Sequence, residues 1–292
     1  MGRLILNADD FGLTAGVNRA IIELHRAGAL TSATLMAKAA ATDEAIELAL
    51  ATPTLGVGCH VVLVDGEPVL SAQNLPTLVD LRTGRFHPTL GAFIKLLLTG
   101  RIRSSEIEAE TAAQIALLQS RGLRLTHIDT HKHTHIFPAV LRPVLRAARA
   151  AGIRAVRNPF EPAWSRRATH GAPWMRQAQM RMLRLLEPAF RRIVAEEDFT
   201  TTDGAIGVLA TGTLDSTTVN TLLRSLPEGT WELVTHPGCN DTDLAQARTR
   251  LLASRETELQ TLRAVKQFAE IELISFADLH YASSASCGAS KS

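Results

Sequence analysis

The fold is indicated by the stretch RLILNADDFGLTAGVNRAIIELHRAGALTSATLM, residues 3–36. Residues 3–7 are a short β-favouring run, and residues 31–36 form a second one. Between them, apolar side chains recur at the spacing of one helical face, at Val17, Ala20, Ile21 and Leu24. Thr14 is suited to cap the start of this helix, and Gly28 is suited to end it. The stretch therefore predicts a strand, a helix and a second strand.

The same alternation continues along the chain. Further strands are predicted over residues 55–64, 125–130, 155–157, 205–209, 231–235 and 272–276. Helices are predicted from Thr42 to Pro53 and over residues 105–121, 138–151, 214–225 and 243–268. Strands that alternate with helices run parallel and are joined by right-handed crossovers. About seven such units favour one α/β domain, a (β/α) barrel over residues 1–280, and the small polar residues 281–292 predict a disordered tail.

The composition is that of an ordinary globular protein. Of the 292 residues, 46% are hydrophobic and 21% are charged, and the net charge of +2 argues against a dedicated nucleic-acid surface. Cys59, Cys239 and Cys287 have no CxxC spacing, so we expect a reducing compartment and no disulfide framework. The apolar runs are too short for a signal peptide or a transmembrane segment. These features predict a soluble, cytoplasmic protein.

Polar clusters lie at the ends of four predicted strands, where parallel α/β folds gather functional groups. These clusters are Asp9 with Asp10, His60, the run 127–135, and His236. Each cluster alone has an ordinary structural explanation, but four such strand ends together favour a catalytic or metal site. A nucleotide cofactor is not expected, because neither GxGxxG nor GxxxxGK[ST] follows any predicted strand.

The run THIDTHKHTH, residues 126–135, is the most unusual part of the sequence. It carries an acidic residue or a histidine at every second position: His127, Asp129, His131, His133 and His135. These side chains would share one face of an extended chain. Pro138 predicts, however, that the strand ends near His131 and that His133 and His135 lie on the loop. One carboxylate and two imidazoles form the simplest catalytic metal set. Such a set suits zinc, and magnesium less so, because Mg²⁺ prefers oxygen ligands.

A metal of this kind would lower the pKa of bound water from about 15.7 toward 7. A second carboxylate could then act as a general base, and a histidine opposite it could protonate the leaving group. The sequence thus contains the groups needed for metal-assisted hydrolysis.

Four motifs carry a resemblance to a known family. NADDFG at 7–12, GCHVVL at 58–63, THIDTHKHTHIFP at 126–138 and THPG at 235–238 resemble the YdjC-like carbohydrate deacetylases, the ChbG/HpnK family. Their order and spacing match from residue 3 to about residue 280. LVDGEPVL at 63–70 and RNPFEPAW at 157–164 look more like the hopanoid-associated HpnK branch than the chitooligosaccharide branch.

The resemblance implies a distorted (β/α) barrel, a divalent metal, zinc or magnesium, and hydrolysis of N-acetyl groups on amino sugars. It implies Asp10, His60 and His131 as the metal ligands, Asp9 as the general base, and His236 as the group that protonates the departing amine or steadies the oxyanion. It also implies that Asp129 orients a ligand imidazole, and that His133 and His135 support the ligands or contact the substrate. The substrate it implies is an N-acetylglucosaminyl hopanoid lipid or an oligosaccharide of N-acetylglucosamine, and a homodimer is implied by similarity.

Other interpretations remain open at this stage. The pair His131 and His133 is also an HxH motif, which would fit a metal-dependent amidohydrolase or phosphoesterase. A sugar-binding protein with a structural metal is a third interpretation. The basic run MRQAQMRMLRLL, residues 175–186, would fit either peripheral membrane contact or a solvated helix packed on the fold.

Overall fold

A computed structural model describes residues 2–169, 171–265 and 271–279 of the chain. Its strands are β1 (Gly2–Phe11), β2 (Ser32–Leu35), β3 (Gly56–Val61), β4 (Val79–Asp80), β5 (Arg85–Phe86), β6 (Ile128–Thr130), β7 (Gly204–Ile206), β8 (Gly229–Thr235) and β9 (Glu272–Leu273). Within the described residues the main sheet has seven parallel strands, in the order β6-β3-β2-β1-β8-β7, with β9 beside the start of β1. Strands β4 and β5 form a separate antiparallel pair.

The main sheet curls into a distorted barrel, which confirms the predicted fold class. Its two outer strands are linked through irregular backbone: Ile128 of β6 bridges to Val156, and Ala155 bridges to Thr200, four residues before β7 begins. The predicted strand over residues 155–157 is therefore present only as isolated bridges. Its backbone hydrogen bonds nevertheless complete the ring between β6 and the approach to β7.

The helices surround this sheet. They are α1 (Ala15–Arg26), α2 (Thr42–Leu50), α3 (Leu90–Leu98), α4 (Ser104–Ser120), α5 (Pro138–Ala150), α6 (Ala163–Ala168), α7 (Trp174–Leu183), α8 (Glu187–Glu196), α9 (Ser216–Arg224), α10 (Thr242–Gln246) and α11 (Ala253–Ala264). As predicted, the Thr14 hydroxyl caps α1 by accepting from the Val17 N–H. The helix predicted over 243–268 is wrong as one element, because α10 and α11 are separated by irregular chain.

Two outcomes concern the ends and surface of the chain. The predicted disordered tail, residues 281–292, lies outside the described residues. Among the helices that the structure describes, none combines the length and the apolar character needed to cross a bilayer.

Candidate metal and catalytic site

A bulge in β1 brings two consecutive carboxylates into the site. The strand extends to Phe11, beyond the predicted end at residue 7, so Asp9 and Asp10 lie within it. Ala8 pairs with Ala33 and Phe11 pairs with Leu35, which leaves two residues of β1 opposite one residue of β2. Asp10 adopts a left-handed φ of 64° at this position. Consecutive side chains of a regular strand point to opposite faces, and the bulge is what allows both carboxylates to reach one cluster.

Three side chains from separate parts of the chain meet at the mouth of the barrel. His60 lies in β3, and His131 begins the 3-10 turn His131–Ile136 that follows β6. The Nε2 atom of His60 lies 3.5 Å from Asp10 Oδ1, and His131 Nδ1 lies 3.3 Å from the same oxygen. The two ring nitrogens are themselves 3.3 Å apart. These three atoms form a nearly equilateral triangle.

The size of this triangle fits a tetrahedral divalent cation. Two ligand atoms at the Zn–N distance of about 2.0–2.1 Å from a tetrahedral ion lie about 3.3–3.4 Å from one another. Two neighbouring ligands of an octahedral Mg²⁺ at similar distances would lie about 3.0 Å apart. Asp10, His60 and His131 are therefore the residues that could hold a metal, with the donor set that zinc prefers.

The carboxylates around His60 prepare it for this role. Its Nδ1–H donates to Asp129 Oδ1 at 2.8 Å, which directs Nε2 toward Asp10 and His131. Burial alone would lower the pKa of His60, but the carboxylates of Asp129, Asp9 and Asp10 raise it to about 9. These carboxylates thus favour a positive charge beside Nε2 of His60. A proton on Nε2 supplies that charge, and a bound metal cation would displace this proton.

Asp10 has a second cationic partner. The fully buried guanidinium of Arg255, in α11, donates to Asp10 Oδ2, while Oδ1 faces the two histidines. Burial opposes ionisation of Asp10, but Arg255 and His131 hold the pKa of its carboxyl well below the usual range. One oxygen of Asp10 is therefore fixed by Arg255, and the other is directed at the candidate metal position.

The structure contains a second group of possible ligands, formed by Asp9, His60 and Asp129. An arginine side chain already occupies the space between these carboxylates. The fully buried guanidinium of Arg157 donates to both oxygens of Asp9, at 2.6 and 2.8 Å, to Asp129 Oδ2, and to Glu232 Oε1 at 2.6 Å from Nη2. Burial raises the pKa of Asp9, but Arg157 and His60 outweigh it and hold that pKa far below the usual range. Since the guanidinium already supplies a positive charge to this second group, Asp10 rather than Asp9 is the carboxylate that is free to face an added cation.

His236 follows β8 and faces the Asp9 side of the cluster. Its Nε2 atom lies 3.7 Å from Asp9 Oδ2, and its backbone N–H donates to Glu258 Oε2 at 2.6 Å. Burial lowers the pKa of His236 to about 4, against the opposing effect of Asp9 and Asp10. The ring is therefore neutral near pH 7. Its Nδ1 atom has no hydrogen-bond partner among the described residues, which leaves one ring nitrogen available.

The last two histidines of the 126–135 run do not share a face with His131. Strand β6 ends at Thr130, and Lys132 and His133 both adopt left-handed backbone angles, so His133 and His135 lie on the turn after the strand, as Pro138 predicted. His133 is half-buried, burial lowers its pKa to about 3, and its Nδ1 has no partner in the described part of the chain.

His135 is fully buried behind the site. Its Nε2–H donates to the backbone carbonyl of Arg157 at 3.2 Å, and its Nδ1 lies 2.8 Å from the Thr130 hydroxyl. His135 thus contacts the backbone that carries Arg157, and its role as a supporting residue or a substrate contact stays a prediction.

The sequence reasoning missed Arg157, Arg255, Glu232 and Glu258. Arg157 does end a predicted strand, which was the one available signal, since the other functional groups follow strand ends. Glu232 is an acidic residue inside the apolar strand β8 and is fully buried. Arg255 lies on a helix with charged residues throughout, so nothing in its spacing distinguishes it from a solvent-facing side chain.

Two curated relatives match about half of the chain. A carbohydrate deacetylase of Brevibacillus brevis is 46% identical over 146 residues, which cover 50% of this chain and 55% of the relative. A carbohydrate deacetylase of Halalkalibacterium halodurans is 37% identical over 146 residues, covering 50% of this chain and 60% of that protein. The matched part thus spans little more than half the length of these curated relatives.

Solved structures extend the likeness to nearly the whole chain. A structure from Enterococcus faecalis, described as a cellobiose-phosphate cleavage protein, superposes with a TM-score of 0.75 at 26% identity, covering 95% of this chain and 98% of that one. A lactam utilization protein from Thermus thermophilus shares the fold, with a TM-score of 0.50 at 15% identity, covering 94% and 99% of the two chains. The family model described as YdjC-like protein matches residues 3–271. The chain therefore belongs to the YdjC-like protein family.

Proposed function

We propose that this protein is a metal-dependent carbohydrate deacetylase, which hydrolyses an N-acetyl group on an amino sugar and releases acetate and a free amine. The observation that carries the proposal is the triangle of Asp10 Oδ1, His60 Nε2 and His131 Nδ1, with edges of 3.3–3.5 Å. The names of the relatives and the membership of the YdjC-like family support the same activity.

Asp10, His60 and His131 would hold the metal. When bound, a divalent cation of this kind supplies Lewis acidity, which acidifies a water molecule and polarises a carbonyl group. Asp9 and His236 lie on the other side of the cluster. Asp9 would accept a proton as the general base, and His236 would donate one to the departing amine. Since His236 is neutral near pH 7, it must gain a proton before it can deliver one to the departing nitrogen. The carboxylate of Asp9, 3.7 Å from Nε2, would stabilise the protonated ring at that moment.

The substrate that we propose is an N-acetylated amino sugar, either free as an oligosaccharide of N-acetylglucosamine or attached to a lipid such as a hopanoid. The motifs at 63–70 and 157–164 favour the lipid-linked form. A cytoplasmic location and a homodimer remain predictions from cysteine usage and from family likeness, respectively.

Metal analysis combined with acetate release tests the proposal. Wild-type protein should contain about one zinc or other divalent ion per chain and should release acetate from at least one member of a panel of N-acetylated sugars and glycolipids. Asp10→Asn should lose the metal and the activity, because it removes the ligand charge. Asp9→Asn should keep the metal and lose turnover.

Three outcomes would contradict the proposal. Full metal content with normal acetate release in both variants would show that neither carboxylate has the role assigned to it. Release of phosphate without acetate would favour a phosphoesterase. Sugar binding without any product, and without dependence on Asp9, would favour a sugar-binding protein with a structural metal.

A further inference from the structure

Helix α7 and the turn after it present an apolar stripe to solvent. The exposed fractions are 78% for Trp174, 62% for Met175, 64% for Met182 and 78% for Leu185. At 100° per residue, the first three lie within one arc of about 100° on the helix, and Leu185 continues it into the 3-10 turn Arg184–Leu186. These four residues, which we call the α7 stripe, are half of the exposed large hydrophobic side chains in the described part of the chain. They form a patch rather than isolated exposures.

The opposite side of α7 is fixed to the barrel. The guanidinium of Arg176 donates to the backbone carbonyls of Thr211 and Val208, at 2.9 and 3.0 Å. Met180 packs against a cluster that includes Val208 and Val234. Val208 follows β7, and Val234 lies two residues before His236. The helix is thus held at the same end of the sheet as the candidate site, with the stripe directed away from the core.

The segment that carries the α7 stripe is rich in positive charge. Residues 163–186, which contain α6 and α7, carry five arginines and no aspartate or glutamate. Those arginines are Arg166, Arg167, Arg176, Arg181 and Arg184. Partial burial, and then the neighbouring cations of this group, lower the pKa of Arg166. Glu187, just beyond this segment, pairs with Arg184 at 3.1 Å.

We propose that the α7 stripe docks on the surface of a bilayer that contains anionic lipid. Tryptophan, methionine and leucine flanked by arginine suit the boundary between lipid headgroups and acyl chains. The flanking arginines complement the negative surface potential of such a bilayer. In a two-fold symmetric dimer the same patch would face itself and bring the arginines together, so a second copy of the chain is the less favourable occupant. The inference does not depend on the deacetylase chemistry.

Vesicle flotation tests this proposal. The wild-type protein should float with phosphatidylcholine vesicles that contain phosphatidylglycerol, and much less with phosphatidylcholine alone. Salt should weaken the binding, because it screens the arginines. Trp174 fluorescence should shift to the blue on binding, while Trp164 and Trp231 pack against each other at 5.2 Å within the protein. The triple variant Met175→Gln, Met182→Gln, Leu185→Gln should lose at least about tenfold in vesicle affinity.

A matched control is available on α3. Leu98 is 73% exposed and lies outside the α7 stripe, so Leu98→Gln should bind vesicles like the wild type. The double variant Arg167→Gln, Arg181→Gln should lose the preference for anionic vesicles and keep the apolar stripe.

The proposal is overturned if the wild type stays unbound at low salt, or if the triple variant floats as well as the wild type. It is also overturned if the wild type is a dimer that the triple variant dissociates, since the stripe would then be a dimer interface. Hydrolysis of a water-soluble N-acetylated sugar should not change in the triple variant, so a failed binding test and a failed activity test are distinct.

Discussion

At the scale of single residues, the site depends on one buried guanidinium. Arg157 is fully buried and hydrogen-bonded to Asp9, Asp129 and Glu232. Burial, with a smaller contribution from Asp9 and Asp129, raises the pKa of Glu232 to about 7 against the opposing effect of Arg157. Three carboxylates cannot remain ionised together in this volume without the cation. Arg157 therefore sets the charge state of the groups around the candidate metal ligands.

We expect Arg157→Gln to lower the free energy of unfolding by about 3–5 kcal/mol, because it leaves buried carboxylates without their partner. Urea denaturation monitored by circular dichroism measures this loss. Arg142→Gln is the matched control: Arg142 pairs with Glu196 on the surface at 2.6 Å, and its loss should cost no more than about 1 kcal/mol. Equal losses in the two variants would contradict the central role of Arg157.

Glu258 gives a separate, pH-dependent prediction. Burial raises its pKa to about 7, although its carboxylate accepts a hydrogen bond from the His236 backbone. Between pH 4.5 and about 7 the folded protein thus holds a proton that the unfolded chain has released, so stability falls as the pH rises through this window. Glu258→Gln keeps an acceptor oxygen and cannot ionise. We expect it to match the wild type near pH 4.5 and to exceed it by on the order of 3 kcal/mol near pH 8.

Thermal and urea unfolding across this pH range provide the measurement for Glu258. Glu108→Gln serves as the control, because Glu108 forms a surface pair with Arg146 at 2.7 Å and should change stability by no more than about 1 kcal/mol at any pH. A Glu258→Gln curve parallel to the wild-type curve would show that Glu258 is ionised in the folded state throughout the range.

At the scale of elements, the sequence predicted where the functional groups would gather but not how they are aimed. Periodicity is local, so the strand–helix alternation and the four polar strand ends could be identified from spacing alone. The bulge at Asp9 and Asp10 and the left-handed turn at Lys132 and His133 depend on pairing register and on contacts distant in sequence. For this reason the sequence predicted that His133 and His135 leave the strand but not where their rings lie.

Buried arginines are the other part that spacing could not reveal. Arg157 and Arg255 are fully buried, whereas arginine is usually a surface residue. Their burial is tolerable because Asp9, Asp10 and Asp129 compensate them, and those carboxylates come from other strands. The need for such a partner becomes visible once the carboxylates are known to converge. A strand-end cluster with several acidic groups therefore predicts a buried cation from elsewhere in the chain.

At the scale of the whole molecule, the candidate ligands connect distant parts of the chain. Asp10, His60 and His131 belong to β1, β3 and the turn after β6, and they can meet only when β1, β2, β3 and β6 are assembled in order. The unfolded chain has no comparable site, so an ion that binds this cluster stabilises the folded state in proportion to its binding free energy. Metal affinity and global stability should therefore be coupled in this protein.

This coupling predicts a metal-dependent melting temperature. Zinc at about 100 times its dissociation constant should stabilise the metal-free protein by about 2.7 kcal/mol, which for a chain of this size is a rise in Tm on the order of 5 °C. Differential scanning calorimetry with and without zinc measures the shift, and excess chelator should reverse it. Asp10→Asn removes the charged ligand while leaving Arg157 and its partners in place, so its Tm should respond to zinc far less. An equal rise in Tm in the wild type and in Asp10→Asn would show that zinc binds elsewhere. The absence of any rise in the wild type would show that this cluster is not a zinc site.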